Sequence, residues 1–141
     1  MTKIEKFEDI EAWQKARELA GAIYSASSDT PFNRDFGLRE QIRRASVSIM
    51  SNIAEGFGRG GNKELVHFLF IAKSSAAEVQ AQLYVALDAG YIDQVKFQEL
   101  YDLSNNTCKL IGGFIRYLKN QETKADYKNS KPRTQNSERT T

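Results

Sequence analysis

The chain has 141 residues, 20 Lys/Arg against 18 Asp/Glu and a net charge of +2, a size that supports one domain with its own apolar core. One cysteine (Cys108) and one histidine (His67) exclude an internal disulfide and the usual zinc cages, and no apolar run nears the ~20 residues of a membrane span. Residues 1–9 carry no apolar leader core, so the reading expects a reducing, cytoplasmic setting.

Helix 1 is expected over about residues 8–26. Ile10, Trp13, Ala16, Ala20, Ile23 and Tyr24 recur at helical spacing. Glu8, Asp9 and Glu11 place negative charge at its start, which the helix dipole favours. The polar stretch 27–31, ending in Pro31, stops it. Helix 2 is expected over residues 36–57. Leu38, Ile42, Ala45, Ile49 and Ile53 make one apolar stripe. At ~100° per residue, Val47, Met50, Ala54 and Phe57 make a second, roughly 140° away. Arg44, Ser48, Ser51 and Glu55 fill the remaining, polar face.

Gly58, Gly60 and Gly61 turn the chain. Asn62 is the expected N-cap of helix 3, with Glu64 in the next turn. Leu65, Phe68, Leu69, Ala72, Ala76, Val79, Leu83, Ala86 and Leu87 point inward as far as residue 89. Gly90 reads as the left-handed residue that ends the helix, with Tyr91 packing back. Helix 4 is expected over residues 93–120, with Leu100, Leu103, Thr107, Leu110, Ile111, Phe114 and Leu118 inward. Gly112 and Gly113 weaken it by about 1 kcal/mol each relative to alanine, and tight packing on a neighbour is the expected reason for keeping them. Residues 121–141 hold five basic and three acidic residues and no apolar pattern, so they are expected to form a disordered basic tail. The expected fold is all-α: an antiparallel up-down-up-down four-helix bundle over residues 1–120.

Charge alternates between segments. Residues 34–63 carry six basic against three acidic residues, and 64–93 carry one against four. That pattern suits neighbouring helices better than one broad nucleic-acid face.

The second stripe of helix 2 is the first functional candidate. Left in water, Val47, Met50, Ala54 and Phe57 would form an apolar patch of roughly a few hundred Å². Either another subunit covers it, or helix 1 or 4 of the same bundle does. Arg43 and Arg44 suggest phosphate contact, yet ~100° separates them, so they cannot act as one fork. An antiparallel count about the turn places Glu78 within a turn of both, and an ion pair is the structural alternative. The same count sets His67 level with Asn52, which lies on the inward stripe and needs His67 or a serine as partner. Glu55 and Arg59 are spaced to pair.

The run from Gly56 to Gly61 matches G-x-G-x-x-G, but a helix precedes it where a dinucleotide site needs a strand. Lys63 is followed by Glu64 where a phosphate loop needs Ser or Thr. Arg59 and Lys63 could still meet a phosphate at the start of helix 3. Glu64 and His67 supply one Glu-x-x-His motif, and a di-iron bundle needs two. With one histidine no Ser-His-Asp set is convincing. No enzyme, cofactor or metal is expected.

The run from Gln41 to Gly56 closely resembles the signature of the bacterial four-helix-bundle proteins also called 23S rRNA intervening-sequence proteins. Trp13, Gly37, Leu38, Arg59, Glu64, Phe68, Leu69, Ala72, Ser75, Glu78, Gln82, Leu83, Gly90 and Tyr91 extend the likeness over about residues 5–120. The resemblance implies a four-helix bundle assembled as a homopentameric ring, and it favours a subunit as the cover for Val47, Met50, Ala54 and Phe57. It implies no enzymatic activity. A related branch, the accessory protein of diversity-generating retroelements, is thought to bind reverse transcriptase and nucleic acid. Two functions follow as expectations: a self-assembling scaffold that presents basic surface to RNA or a ribonucleoprotein, or a protein adaptor such as a reverse transcriptase accessory subunit.

Overall fold

A computed structural model describes the backbone of residues 3–130 and the side chains of residues 3–121. Among these residues there are four α-helices and no strand: α1 (Glu11–Ala26), α2 (Phe36–Gly58), α3 (Asn62–Asp88) and α4 (Gln94–Ser130). Short 3-10 turns at Phe7–Asp9 and Phe32–Arg34 precede α1 and α2.

Local chemistry sets the helix ends. The expected acidic start of helix 1 is a separate 3-10 turn. Asp9 holds it by accepting the backbone N–H groups of Glu5 (3.0 Å) and Lys6 (3.1 Å). Asp35 caps α2, its Oδ1 accepting the N–H of Leu38 at 3.1 Å. Asn62 is not the cap of α3; extended Gly61 takes that position without a side-chain bond, and Asn62 is the first helical residue. Gly90, at φ +80°, ends α3 as expected. Its N–H donates to Leu87 C=O (3.0 Å), and the Tyr91 N–H reaches back to Ala86 C=O (2.9 Å), the paired bonds of a Schellman motif. Asp93 opens α4 by accepting the N–H of Lys96 at 2.8 Å.

α4 continues to Ser130, ten residues beyond its expected end at 120. Gln121, Glu122, Lys124 and Ala125 are good helix formers, and an established helix adds one bond per residue. Residues 121–130 of the expected tail are therefore helical; 131–141 lie outside the described residues.

The inward stripes close one core. Ile10, Trp13, Ala16, Leu19 and Ile23 meet Ile42, Ile49 and Ile53 of α2, Leu69, Ala72, Ala76, Val79 and Leu83 of α3, and Phe97, Leu100, Ile111, Ile115 and Leu118 of α4. Fully burying each large aliphatic side chain contributes about 1.5–3 kcal/mol. Tyr24, expected inward, is exposed at the end of α1. Each helix packs on two others: α2 and α4 both contact α1 and α3. The Ser48 and Ser75 hydroxyls share a hydrogen bond at 3.0 Å, while Gly56 lies against Leu65 and Phe68. Numbers thus rise along α2 as they fall along α3. Between α3 and α4, Ser104 Oγ donates to Ala76 C=O at 3.2 Å, and Tyr84 packs on Phe97 and Tyr101.

Glycine matters most at Gly56, which is helical and buried. A Cβ there would stand 2.7 Å from Phe68 Cβ and 3.3 Å from Leu65 Cα, so its absence lets α2 and α3 approach. Gly112 and Gly113 behave differently from expectation. A Cβ on Gly112 would meet only Arg116 Nη1 at 3.7 Å and Lys73 Nζ at 4.0 Å. These are ordinary contacts with flexible side-chain ends, so close helix packing does not explain this pair. Gly21, on the exposed side of α1, has nothing within 4 Å of such a Cβ. Gly21→Ala is expected to stabilise the fold by up to about 1 kcal/mol, through helix propensity alone; a urea midpoint raised at constant slope would show it.

Candidate interaction surface

Arg43 faces α1, as its place beside the second stripe implies. Its Nε donates to Ser27 Oγ at 2.8 Å, and Nη2 donates to Ser28 Oγ at 3.0 Å and Tyr24 C=O at 3.4 Å. The guanidinium carbon sits 4.5 Å from the Tyr24 ring centroid. α1 ends here with carbonyls that no further turn can satisfy, and a cation at a helix C-terminus also meets the dipole favourably. The expected pairing of Arg43 or Arg44 with Glu78 is absent. Arg43 is committed to α1, and no carboxylate of Glu78 lies within ion-pair distance of either arginine. Arg44 is exposed and has no hydrogen bond or ion pair among the described residues.

The second stripe divides. Val47 is 38% exposed, while Met50, Ala54 and Phe57 are half-buried against the core. They lie on the flank of α2 that Arg43 marks as the α1 side, so the bundle itself covers part of the stripe. Val47 lines a shallow groove of about 370 Å³ with Tyr24, Glu40, Arg43, Arg44 and Ser48. The groove thus gathers three of the sequence-predicted residues. Phe57 instead borders a wider cleft of about 1040 Å³, between the start of α1 and the second half of α4, with Ile4, Leu65, Leu110 and Phe114.

At the α2–α3 turn, Arg59 pairs with Glu55 at 3.0 Å, as its spacing predicts, and its guanidinium also lies 4.9 Å from the Phe68 ring centroid. Lys63 is exposed one turn on. Asn52 is half-buried rather than buried. Its partner is Ser48, whose carbonyl (2.8 Å) and hydroxyl (3.0 Å) both accept from Nδ2. His67 is exposed and stacks edge-on with Phe68. The count that levelled His67 with Asn52 misses by about one turn: Ser48 meets Ser75 and Gly56 meets Phe68, so Asn52 stands level with about Ile71 and His67 with Gly56. Among the described residues the buried polar side chains are Ser27, Ser46, Ser75, Ser104 and Thr107, small hydroxyls that bond backbone carbonyls or, for Ser75, the Ser48 hydroxyl; the Gln82 Oε1 atom is also buried and has no hydrogen-bond partner among them.

Sequence reasoning missed the junction of Asp35 and Tyr91. Asp35 Oδ2 accepts the Tyr91 hydroxyl at 2.9 Å, and the Tyr91 ring stacks on buried Phe32, 5.4 Å between centroids. Asp immediately before the first helical residue was the available signal. The Leu38 N–H, then the Tyr91 hydroxyl, hold the Asp35 carboxyl below its ordinary 3.8. The bond to Asp35, then burial, raise the Tyr91 phenol above its ordinary 10.0. For Asp35 the stabilisation is present above pH 3.8 and is lost as pH falls through its depressed folded value. For Tyr91 it is present below pH 10.0 and is lost as pH rises through its raised value. Thermal melts against pH check this. Asp35→Asn should flatten much of the acid limb and Tyr91→Phe the alkaline limb, both at a lower plateau than the parent.

Among the described residues no three His, Cys, Asp or Glu side chains gather as a metal site. No helix among them is long and apolar enough to cross a membrane. Cys108 is half-buried, and burial raises its thiol above the ordinary value, which makes it a poor nucleophile.

No curated protein sequence matches the chain. A solved structure with the same fold is a protein with unknown function from the S23 ribosomal protein family of Bacteroides thetaiotaomicron VPI-5482. It superposes with a TM-score of 0.67 at 24% identity, over 74% of this chain and 97% of that one. The family model of the 23S rRNA-intervening sequence protein matches residues 8–113. The match takes in α1, α2 and α3 whole and the first half of α4, so the chain belongs to the 23S rRNA-intervening sequence protein family.

Proposed function

We propose that this protein is a non-enzymatic scaffold: an up-down-up-down bundle that assembles with copies of itself as a ring of five and presents basic surface to RNA. The observation that carries the reading is apolar surface turned away from the core on α2 and α3. Val47, Ile71 and Val85 are 38%, 37% and 52% exposed on helices whose inner stripes are already satisfied. A helix needs one apolar face to join a bundle, and a second face calls for another partner. The outward cations Arg44 and Lys63, without carboxylate partners among the described residues, support the RNA part. The ring of five and the RNA partner come from the family likeness.

Light scattering at tens of micromolar tests the assembly. The expected mass is five times the 16.0 kDa of one chain, and a monomer overturns the reading. Val85→Asp should disassemble the ring yet keep the helical signal, because Val85 carries none of the core. Labelled RNA titrated at two salt concentrations tests the partner; no binding at about 50 mM salt defeats it.

A further inference from the structure

We propose that the outward seam between α3 and α4 is a binding site for single-stranded nucleic acid, with Lys73, Arg116 and Lys119 on the phosphates and Phe70 against a base. The assignment rests on the RNA part of the proposed function. It places the contact away from the basic segment 34–63 that the charge pattern singles out.

Gly112 is where the cations converge. Lys73 Nζ and Arg116 Nη1 both lie within 4.0 Å of the point where a Cβ on Gly112 would stand, and Arg116 Nη2 lies 3.8 Å from the same point on Gly113. Two positive groups, one from each helix, thus lean across the glycine pair and cover Gly112, which is buried beneath them. Neither Lys73 nor Arg116 has an ion pair or hydrogen bond among the described residues. Two like charges drawn to one spot, with no carboxylate between them, repel, and an anion placed there relieves both. One turn further along, Lys119 Nζ sits 5.2 Å from the centroid of the Phe70 ring. Phe70 is 47% exposed and three residues before Lys73, so on a helix the two are neighbours.

The pattern is a line of cations beside an exposed aromatic face. A phosphodiester chain fits it because its charges repeat along a strand, as these cations repeat along the seam. A single strand fits better than a duplex because Phe70 can stack only on a base that has left its own stack. An exposed phenylalanine among three cations has no comparable use for a simple inorganic anion.

The test is fluorescence anisotropy with labelled single-stranded RNA and DNA 20-mers, from about 50 to 200 mM salt. The variants are Lys73→Ala/Arg116→Ala, Phe70→Leu and Arg44→Ala, each checked for its melt and its scattering mass. All four side chains are exposed, so the fold should persist. The double variant is expected to weaken binding at least tenfold and to make the salt slope shallower by about 1.4, the value for two phosphates on a single strand. Phe70→Leu should weaken binding about tenfold with the slope unchanged. Equal loss for RNA and DNA supports backbone reading; loss for RNA alone supports the site with added contact to the 2′-hydroxyl. If the parent binds and only Arg44→Ala weakens it, the seam is overturned while the RNA reading stands. If the parent binds neither strand, both fall. If the double variant changes the scattering mass and leaves affinity intact, the seam seats an acidic face of a second copy, which also overturns the assignment.

Discussion

Gly56→Ala is expected to destabilise the protein by about 1–3 kcal/mol, although the same change inside an open helix normally stabilises it. The added methyl would stand 2.7 Å from Phe68 Cβ, a distance no relaxed pair of carbons adopts. Its other neighbour is the backbone of Leu65, which cannot rotate away. Relief must come from moving α3 off α2 at their closest approach, just before the turn that joins them. That shift loosens Leu65 and Leu69, both buried. Gly112→Ala is the internal control. Its methyl would touch only the mobile ends of Arg116 and Lys73, so it should be neutral or stabilising by up to about 1 kcal/mol. Urea denaturation should lower the midpoint of Gly56→Ala and leave that of Gly112→Ala at or above the parent's. Equal displacements would show that the α2–α3 approach is not limited by Gly56.

Arg43→Ala is expected to cost about 1–3 kcal/mol and to leave RNA affinity nearly unchanged. Three hydrogen bonds and the stacking on Tyr24 disappear together. Ser27 keeps its bond to Ile23 C=O at 2.7 Å, so the variant leaves no buried hydroxyl wholly unpartnered and the loss stays moderate. Arg43→Lys should recover little. An ammonium cannot reach Ser27, Ser28 and the Tyr24 carbonyl as the planar fork does. Chemical denaturation measures the first effect, and RNA titration the second. A large affinity loss with unchanged stability would make Arg43 a phosphate ligand instead.

Arg43 also shows where reading from sequence stops. Its direction on α2 was legible from the helical period, and so was its separation from Arg44. Its partner was not, because the end of α1 comes beside it only once the loop 27–35 has been built. Glu78 and His67 show the same limit. An antiparallel count gives height along the bundle only to about a turn, which misplaced His67, and it does not give the angle at which a side chain leaves its helix. Met50, Ala54 and Phe57 add a further case: period identifies a second apolar flank, and packing then decides how much of it α1 and the 3-10 turn at Phe7–Asp9 hide.

The sequence by itself determined the all-α class, the order of the four helices, the apolar stripes, the break at Gly90 and the Glu55–Arg59 pair. Each depends on contacts within a few residues or on the helical period, and both can be counted along a chain. It also carried the family signature in residues 41–56. The tertiary structure alone decided that Gly56 is a contact point, that Asp35 meets Tyr91, and that Lys73 and Arg116 converge over Gly112. Those contacts join different elements of the fold, and their distances depend on how the helices are set against one another. The small net charge of +2 shows the same division. As a sum it predicts little, because opposite charges cancel in the count; spread over the fold, it leaves Lys73 and Arg116 at the α3–α4 seam with no ion pair among the described residues.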